Sequence, residues 1–305
     1  MRKRDKVAPR HVPLLFACGS YWKEGNRVVS FTINILVENT VGVTSGVFAE
    51  WGLAMLLDFG KESILFDTGE QGSLINNAQV LGIDLRKITK VVLSHGHYDH
   101  TGGLLNLLKL RGEVPVYAHP DLFAGHYVKE AGRDEKYIGV PYKLEDLESV
   151  GARFCWHKEP LQISSNLWLS GEVPRQTVYE KGDERLVQFQ AEGFIKDLFR
   201  DDLSLFYTTE KGLVVILGCA HSGLVNIIEH AKRVTNQSNI RAIIGGTHLG
   251  PADSLQQERT IEYLKSLDFE LLAPNHCTGL PIASRLAREF PDQFRWATTG
   301  TILEI

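Results

Sequence analysis

The segment VVLSHGHYDHTGG, residues 91–103, sets His95, His97, Asp99 and His100 within six positions, directly after an apolar run. Any one of these histidines alone reads as a hydrogen-bonded or surface side chain. Their spacing argues for chemistry. Two residues apart on extended chain, His95 and His97 point the same way. Asp99 and His100 then fold back in a turn that Gly96, Gly102 and Gly103 make possible. Left uncompensated, such a cluster is costly, because protonated imidazoles repel one another and crowded polar groups lose their water. A divalent cation removes both difficulties, since neutral imidazole and carboxylate are suitable ligands for zinc, iron or manganese. A divalent cation is therefore expected, zinc by preference, with manganese, iron or magnesium as alternatives.

The elements that must position this cluster follow a repeated plan. FTINILVEN, SILFDTG and KVVLS read as strands, the last with the histidine cluster at its exit, and GGLLNLLKL then starts a helix. GLVVILGCAH is a buried strand followed by a helix whose Leu224, Ile227, Ile228, Ala231 and Val234 share one face, with Ser222 placed to cap it. AIIGGTHLG and ELLAPNHCTG repeat the strand-then-histidine pattern, Ser254 and Gln257 stand at capping-box spacing, and GTILEI closes the chain as a strand. Strands alternating with helices argue for layered α/β architecture. Between about residues 120 and 200 the periodicity weakens and charge rises, which reads as an excursion near the active site from a single domain spanning 30–305.

With 305 residues and 43% hydrophobic side chains the chain can bury a substantial core, and no apolar stretch is long enough to span a membrane. A formal charge of −4 gives no surplus to attract nucleic acid or anionic lipid, so neither is expected as a partner. The four cysteines are widely scattered, which fits a reducing cytoplasm better than a disulfide framework. Residues 1–29 read as a basic extension. Its LFAC ending at Cys18 resembles a lipoprotein cleavage site, but the apolar segment is short and interrupted by Pro13, so export is the lesser alternative.

His95-Gly96-His97-Tyr98-Asp99-His100 resembles the signature of the metallo-β-lactamase fold superfamily, and the resemblance covers about residues 31–305. It implies a four-layer αββα sandwich with a one- or two-metal site at one edge of the sheets. By that resemblance His95, His97, Asp99 and His100 are metal ligands, His221 completes the first metal's set, and His276 is the late histidine of the second. Asp67 in LFDTG then orients a ligand histidine from behind. Asp201 and Asp202 in FRDDLSLF are candidates for a bridging ligand, or else simply solvated. Cys219 and Cys277, beside the proposed ligands, read as small buried side chains.

Within the superfamily, the strings ENT, AEWGLAMLLDFG, ILFDTG, YIGVP, SGEVPR, KGLVVILGCAHSGLVN, IGGTHL and NHCTG resemble the dihydropteroate-synthase-like group. A lactamase or glyoxalase-type hydrolase would show an isolated Gly-Asp motif where this chain has LGCAHSG, and the excursion is too short and not basic enough for the RNA-cleaving branch. The group's best-defined activity implies a dihydropterin-methyl diphosphate that loses diphosphate as an aminobenzene ribosyl phosphate is joined to it. Arg175 would then clamp a phosphate, and Glu50 and His248 would contact the pterin or move protons. Trp51 stands where the group has a histidine. Two alternatives remain open. One is hydrolysis of an ester or phosphodiester by a metal-bound water with Asp99 ligating or orienting it. The other is a metal or pterin sensor without turnover, against which the intact His97, Asp99 and His100 set argues.

Overall fold

A computed structural model describes residues 31–42 and 46–305, so the basic extension and Cys18 lie outside the described residues. Two mixed sheets form its centre. The first runs, edge to edge, Ile302–Glu304, Thr32–Val37, Ala54–Asp58, Ser63–Phe66, Lys90–Val92, Val114–Ala118 and Ala152–Trp156. The second runs Leu271–Asn275, Ile240–Gly246, Gly212–Leu217, Ser204–Thr209, Leu167–Leu169 and Leu161–Ser164.

Period-two alternation sorts the side chains of these strands. Within Gly212–Leu217, Val214 and Ile216 enter a core shared with Ile33, Leu57 and Phe66 of the first sheet, while Leu213, Val215 and Leu217 face the other way. That outer face is covered by helices Leu224–Thr235, Ser254–Lys265 and Leu280–Glu289 through Leu224, Ile227, Ile228, Ile261, Leu264 and Leu286. Helices Ser73–Val80, Leu104–Arg111 and Leu144–Ser149 cover the first sheet in the same manner, through Leu74, Leu104, Leu107, Leu108 and Leu147 against Leu56, Leu65 and Val91. The layers are helix, sheet, sheet, helix, as the sequence implied.

Strand direction is what serves the site. Ser63–Phe66 pairs in parallel with Lys90–Val92, and Gly212–Leu217, Ile240–Gly246 and Leu271–Asn275 are mutually parallel neighbours. Their C-terminal ends carry Asp67, the His95–His100 turn, Cys219 with His221, His248 and His276. Ligand sites in α/β sheets sit outside such ends because the loops there converge.

Three expectations are corrected. Ser222 does not cap the helix at Leu224; its first amides, Val225 and Asn226, donate to the Glu180 carboxylate at 2.8 and 3.0 Å. Glu180 approaches so closely that a Cβ on Gly223 (φ +98°) would lie 2.4 Å from its carboxyl carbon, which is why glycine stands there. The next helix is capped one residue earlier than expected, by Asp253, whose carboxylate accepts from Gln256 N at 2.8 Å. The 120–200 segment is not one excursion. Ala152–Trp156, Leu161–Ser164 and Leu167–Leu169 join the main sheets. His126–Val128, Lys136–Tyr137, Leu186–Gln190 and Gly193–Lys196 form a separate four-stranded sheet. Strands this short, many of them half-exposed, leave no legible period. No described helix is long and apolar enough to cross a membrane.

Replacing Glu180 with alanine leaves two buried helix-start amides without an acceptor. We expect a loss of about 1–3 kcal/mol in urea unfolding, and a smaller loss for Glu180→Gln, which keeps one acceptor oxygen.

Candidate metal centre

His95 Nε2 lies 3.0 Å from His97 Nδ1 and 3.3 Å from His221 Nε2. His100 Nε2 lies 3.2 Å from His276 Nε2, and Asp99 Oδ2 stands 3.4 Å from the same His276 nitrogen. The donors thus fall into two triads, His95–His97–His221 and Asp99–His100–His276, each with its ligand atoms within 4.8 Å of one another. A tetrahedral zinc with Zn–N near ~2.05 Å spaces its nitrogens roughly 3.3 Å apart. The observed separations are those of a coordination edge, so the residues fit a cation.

Four of the five rings, all but His97, are braced by a neighbouring group. Asp67 Oδ2 meets His100 Nδ1 at 2.7 Å and the Ser94 hydroxyl at 2.7 Å, and its Oδ1 accepts from Ser94 N at 2.7 Å. With Nδ1 so engaged, His100 presents Nε2 to the cluster. The same Ser94 Oγ lies 2.9 Å from His95 Nδ1. Gly218 makes room for this arrangement, because a Cβ there would sit 2.3 Å from Ser94 Oγ. Asn39 Oδ1 faces His276 Nδ1 at 3.0 Å, and Glu38 accepts from His276 N at 2.8 Å. Phe199 stacks on His221 with ring centroids 3.9 Å apart. Five of the seven described non-glycine residues with positive φ, Asp67, Phe199, Ala220, His248 and His276, belong to these loops. Such backbone costs about 1–3 kcal/mol per residue and concentrates where function requires a particular aim.

The electrostatics prepare ligands. Burial, with His100 beside it, holds His95 neutral well below the usual imidazole range, and burial and His248 do the same for His221. Burial and His126 bring His97 down to about 3. For Asp99 burial acts upward, but His100 and His276 outweigh it and keep the carboxyl ionised. Burial opposes charge on His100 too, yet Asp67 and Asp99 prevail and raise it to about 9. A cation arriving at His100 below that pH displaces a proton.

Asp201 and Asp202 are fully buried rather than solvated. Asp201 accepts from Gly96 N and Asp202 from Ser222 N, each at 2.8 Å, so they fix the backbone beside His95, His97 and His221. Among the described residues, neither joins a group of three close donor atoms of the kind the histidines form. Glu50 is not brought to the cluster, because its carboxylate accepts from the amides of Glu70, Gln71, Gly72 and Ser73 and so ties the Asp67 loop to the next helix. Arg175 donates to the Leu198 carbonyl and lines a separate recess with Glu172 and Arg200. His248 lies over the centre, 4.2 Å from the His221 ring, with both ring nitrogens free of a protein partner. Cys219 is buried, as expected, with its sulfur 3.2 Å from His100 Nε2; Cys277 is only partly buried.

Above the cluster a cavity of about 300 Å³ is walled by Trp51, Ile138, Leu186, Arg185, His248 and His276, and a second of about 300 Å³, lined by Lys181 and Asp183, adjoins it across His221 and His248. Sequence reasoning missed Arg185, Lys181, Asn39 and the buried His126, which faces Asp197 at 2.6 Å. Asn39 lies within the quoted ENT string; the others carry no motif.

The profile of the metallo-β-lactamase superfamily matches residues 52–225, more than half of the chain. The chain belongs to this superfamily. Among superfamily relatives, it is 29% identical over 292 residues to 7,8-dihydropterin-6-methyl-4-(β-D-ribofuranosyl)-aminobenzene-5′-phosphate synthase of Methanocaldococcus jannaschii, covering 91% of this chain and 98% of that one. An uncharacterized protein of the same organism is 32% identical over 90% of this chain and all of its own length. The crystal structure of Tm1679, described as a metal-dependent hydrolase of the β-lactamase superfamily, superposes with a TM-score of 0.77 at 30% identity, covering 90% of this chain and 99% of that one.

Asp67→Asn puts an amide where His100 needs an acceptor. Zinc affinity, measured by competition with a chromogenic chelator, should fall by about 10–100-fold. The fold should be retained, because the oxygen that the substituted side chain keeps still accepts from Ser94 N.

Proposed function

We propose that this metal-dependent enzyme joins a dihydropterin-methyl diphosphate to an aminobenzene ribosyl phosphate, releasing diphosphate. The observation that carries the reading is the make-up of the cleft. An apolar wall bearing the half-exposed Trp51 indole, 5.3 Å from the His276 ring, leads onto the two donor triads, with Arg185 and Lys181 at the rim. A flat heterocycle suits the wall, and a diphosphate suits the triads and the basic rim. The match over 98% of the synthase from Methanocaldococcus jannaschii supports the same substrate class.

In this reading His95, His97 and His221 hold one cation, and Asp99, His100 and His276 hold another. Bound there, divalent cations neutralise the diphosphate and stabilise it as a leaving group. Trp51 stacks the pterin and places its methylene over the centre. Arg185, held by the Asp183 carboxylate at 2.6 Å, contacts phosphate oxygens in the role first expected of Arg175. The arylamine nitrogen attacks the methylene, the bond from carbon to the diphosphate oxygen breaks, and a carbon–nitrogen bond forms. His248, with no protein partner at either ring nitrogen, takes the proton the amine loses. The three described cysteines are free, which supports a reducing compartment such as the cytoplasm.

The likeness to Tm1679 favours a second reading, hydrolysis of an ester or phosphodiester, in which Asp99 orients a water for attack. Diphosphate release from the pterin-methyl diphosphate separates the two. The synthase requires the aminobenzene compound for release and loses activity in His97→Ala. Release indifferent to that compound, or none, supports the hydrolase, and saturable binding without turnover would support a sensor. Under synthase conditions Trp51→Ala should raise KM about ten-fold with kcat little changed, and His248→Ala should lower kcat about 100-fold.

A further inference from the structure

Between the two triads stands a sulfur. Cys219, at the exit of strand Gly212–Leu217, is 3% exposed. Its ligand atom groups within 4.8 Å with His95 and His100, with His221 and His248, and with His276 and Cys277. It therefore meets histidines of both triads. The single carboxylate in any of these groups is Asp99, which groups only with His100 and His276. The two buried aspartates first considered as bridges, Asp201 and Asp202, each use Oδ2 to accept from a backbone amide, of Gly96 and Ser222, and neither groups with these ligand atoms among the described residues. Cys277 joins only the group with Cys219 and His276, and its sulfur also takes the His248 amide at 3.3 Å and faces the Cys219 carbonyl at 3.5 Å.

The spacing suits coordination. With Zn–S near ~2.3 Å and Zn–N near ~2.05 Å, sulfur and nitrogen on one zinc lie roughly 3.1 Å apart at a right angle and roughly 3.6 Å apart at the tetrahedral angle. Cys219 Sγ is 3.2 Å from His100 Nε2.

We propose that Cys219 supplies a thiolate shared by the two cations. This rests on the metal-centre reading above and is independent of the pterin substrate. The thiol proton leaves to solvent as the cations bind, since a coordinating thiol is deprotonated outright. The soft sulfur also biases the centre toward zinc, cobalt or iron and away from magnesium and manganese.

The test is cobalt(II) substitution of the full chain, read by near-ultraviolet absorption and by metal content. The loaded wild type should show an intense sulfur-to-cobalt charge-transfer band at about two cobalt ions per chain. Cys277→Ser should keep the band. Cys219→Ala should abolish it and weaken the second cobalt about ten-fold or more. Cys219→Asp should restore cobalt content without the band. Wild type that binds two cobalt ions with no such band overturns the proposal and leaves the metal centre standing, as does a band that survives Cys219→Ala and disappears in Cys277→Ser. Wild type that takes up no cobalt overturns both. The wild-type spectrum is decisive even if a Cys219 variant folds poorly.

Discussion

Imidazoles held 3.0–3.3 Å apart, nitrogen to nitrogen and out of water, impose the condition on which the structure depends. They cannot all be protonated, and neutral rings at that distance gain little from one another without something positive between them. Burial enforces neutrality on His95, His97 and His221, while Asp67 and Asp99 bring negative charge to His100. The result is a pre-formed, electron-rich cage whose natural complement is a divalent cation.

Holding that cage together requires two sheets to present their strand ends to one another. The parallel pair Ser63–Phe66 and Lys90–Val92 brings Asp67 beside the His95–His100 turn, and the parallel strands of the second sheet deliver His221, His248 and His276 from the opposite side. Buried carboxylates fix the connecting loops, Asp201 at Gly96, Asp202 at Ser222 and Glu38 at His276, and the partly buried Glu50 does the same for the Asp67 loop. None of these oxygens needs to touch a metal to matter. Each holds a backbone amide whose movement would misdirect an imidazole, beside loops in which Asp67, Ala220, His248 and His276 take positive φ.

The strand-and-helix pattern and the histidine cluster were legible in the sequence because both follow short-range rules, whereas the four layers and the distant His221 and His276 came from the resemblance. Alternating apolar residues in GLVVILG and the apolar face of Leu224–Thr235 declare their partners locally, and His95 to His100 declare theirs by spacing. The places of Glu50, Arg175, Asp201 and Asp202 were not legible because the destination of a charged loop residue depends on the backbone it happens to meet. Asp201 finds Gly96 across 105 positions of chain, and no pattern near either residue records it. Arg185 and His126 were overlooked for a related reason. They lie on strands or turns of the small third sheet, too short for a readable period, and reach the site only through its folding. Cys219 was seen and assigned the ordinary role of a small buried side chain, since its position between two triads exists only in three dimensions.

The most direct test of the central claim is anomalous diffraction above and below the zinc edge from crystals of the zinc-loaded full chain. The account predicts two peaks per chain, one enclosed by His95, His97 and His221 and the other by Asp99, His100 and His276. Well-ordered zinc-soaked crystals with no peak at either triad, or with metal held only elsewhere on the chain, would contradict it.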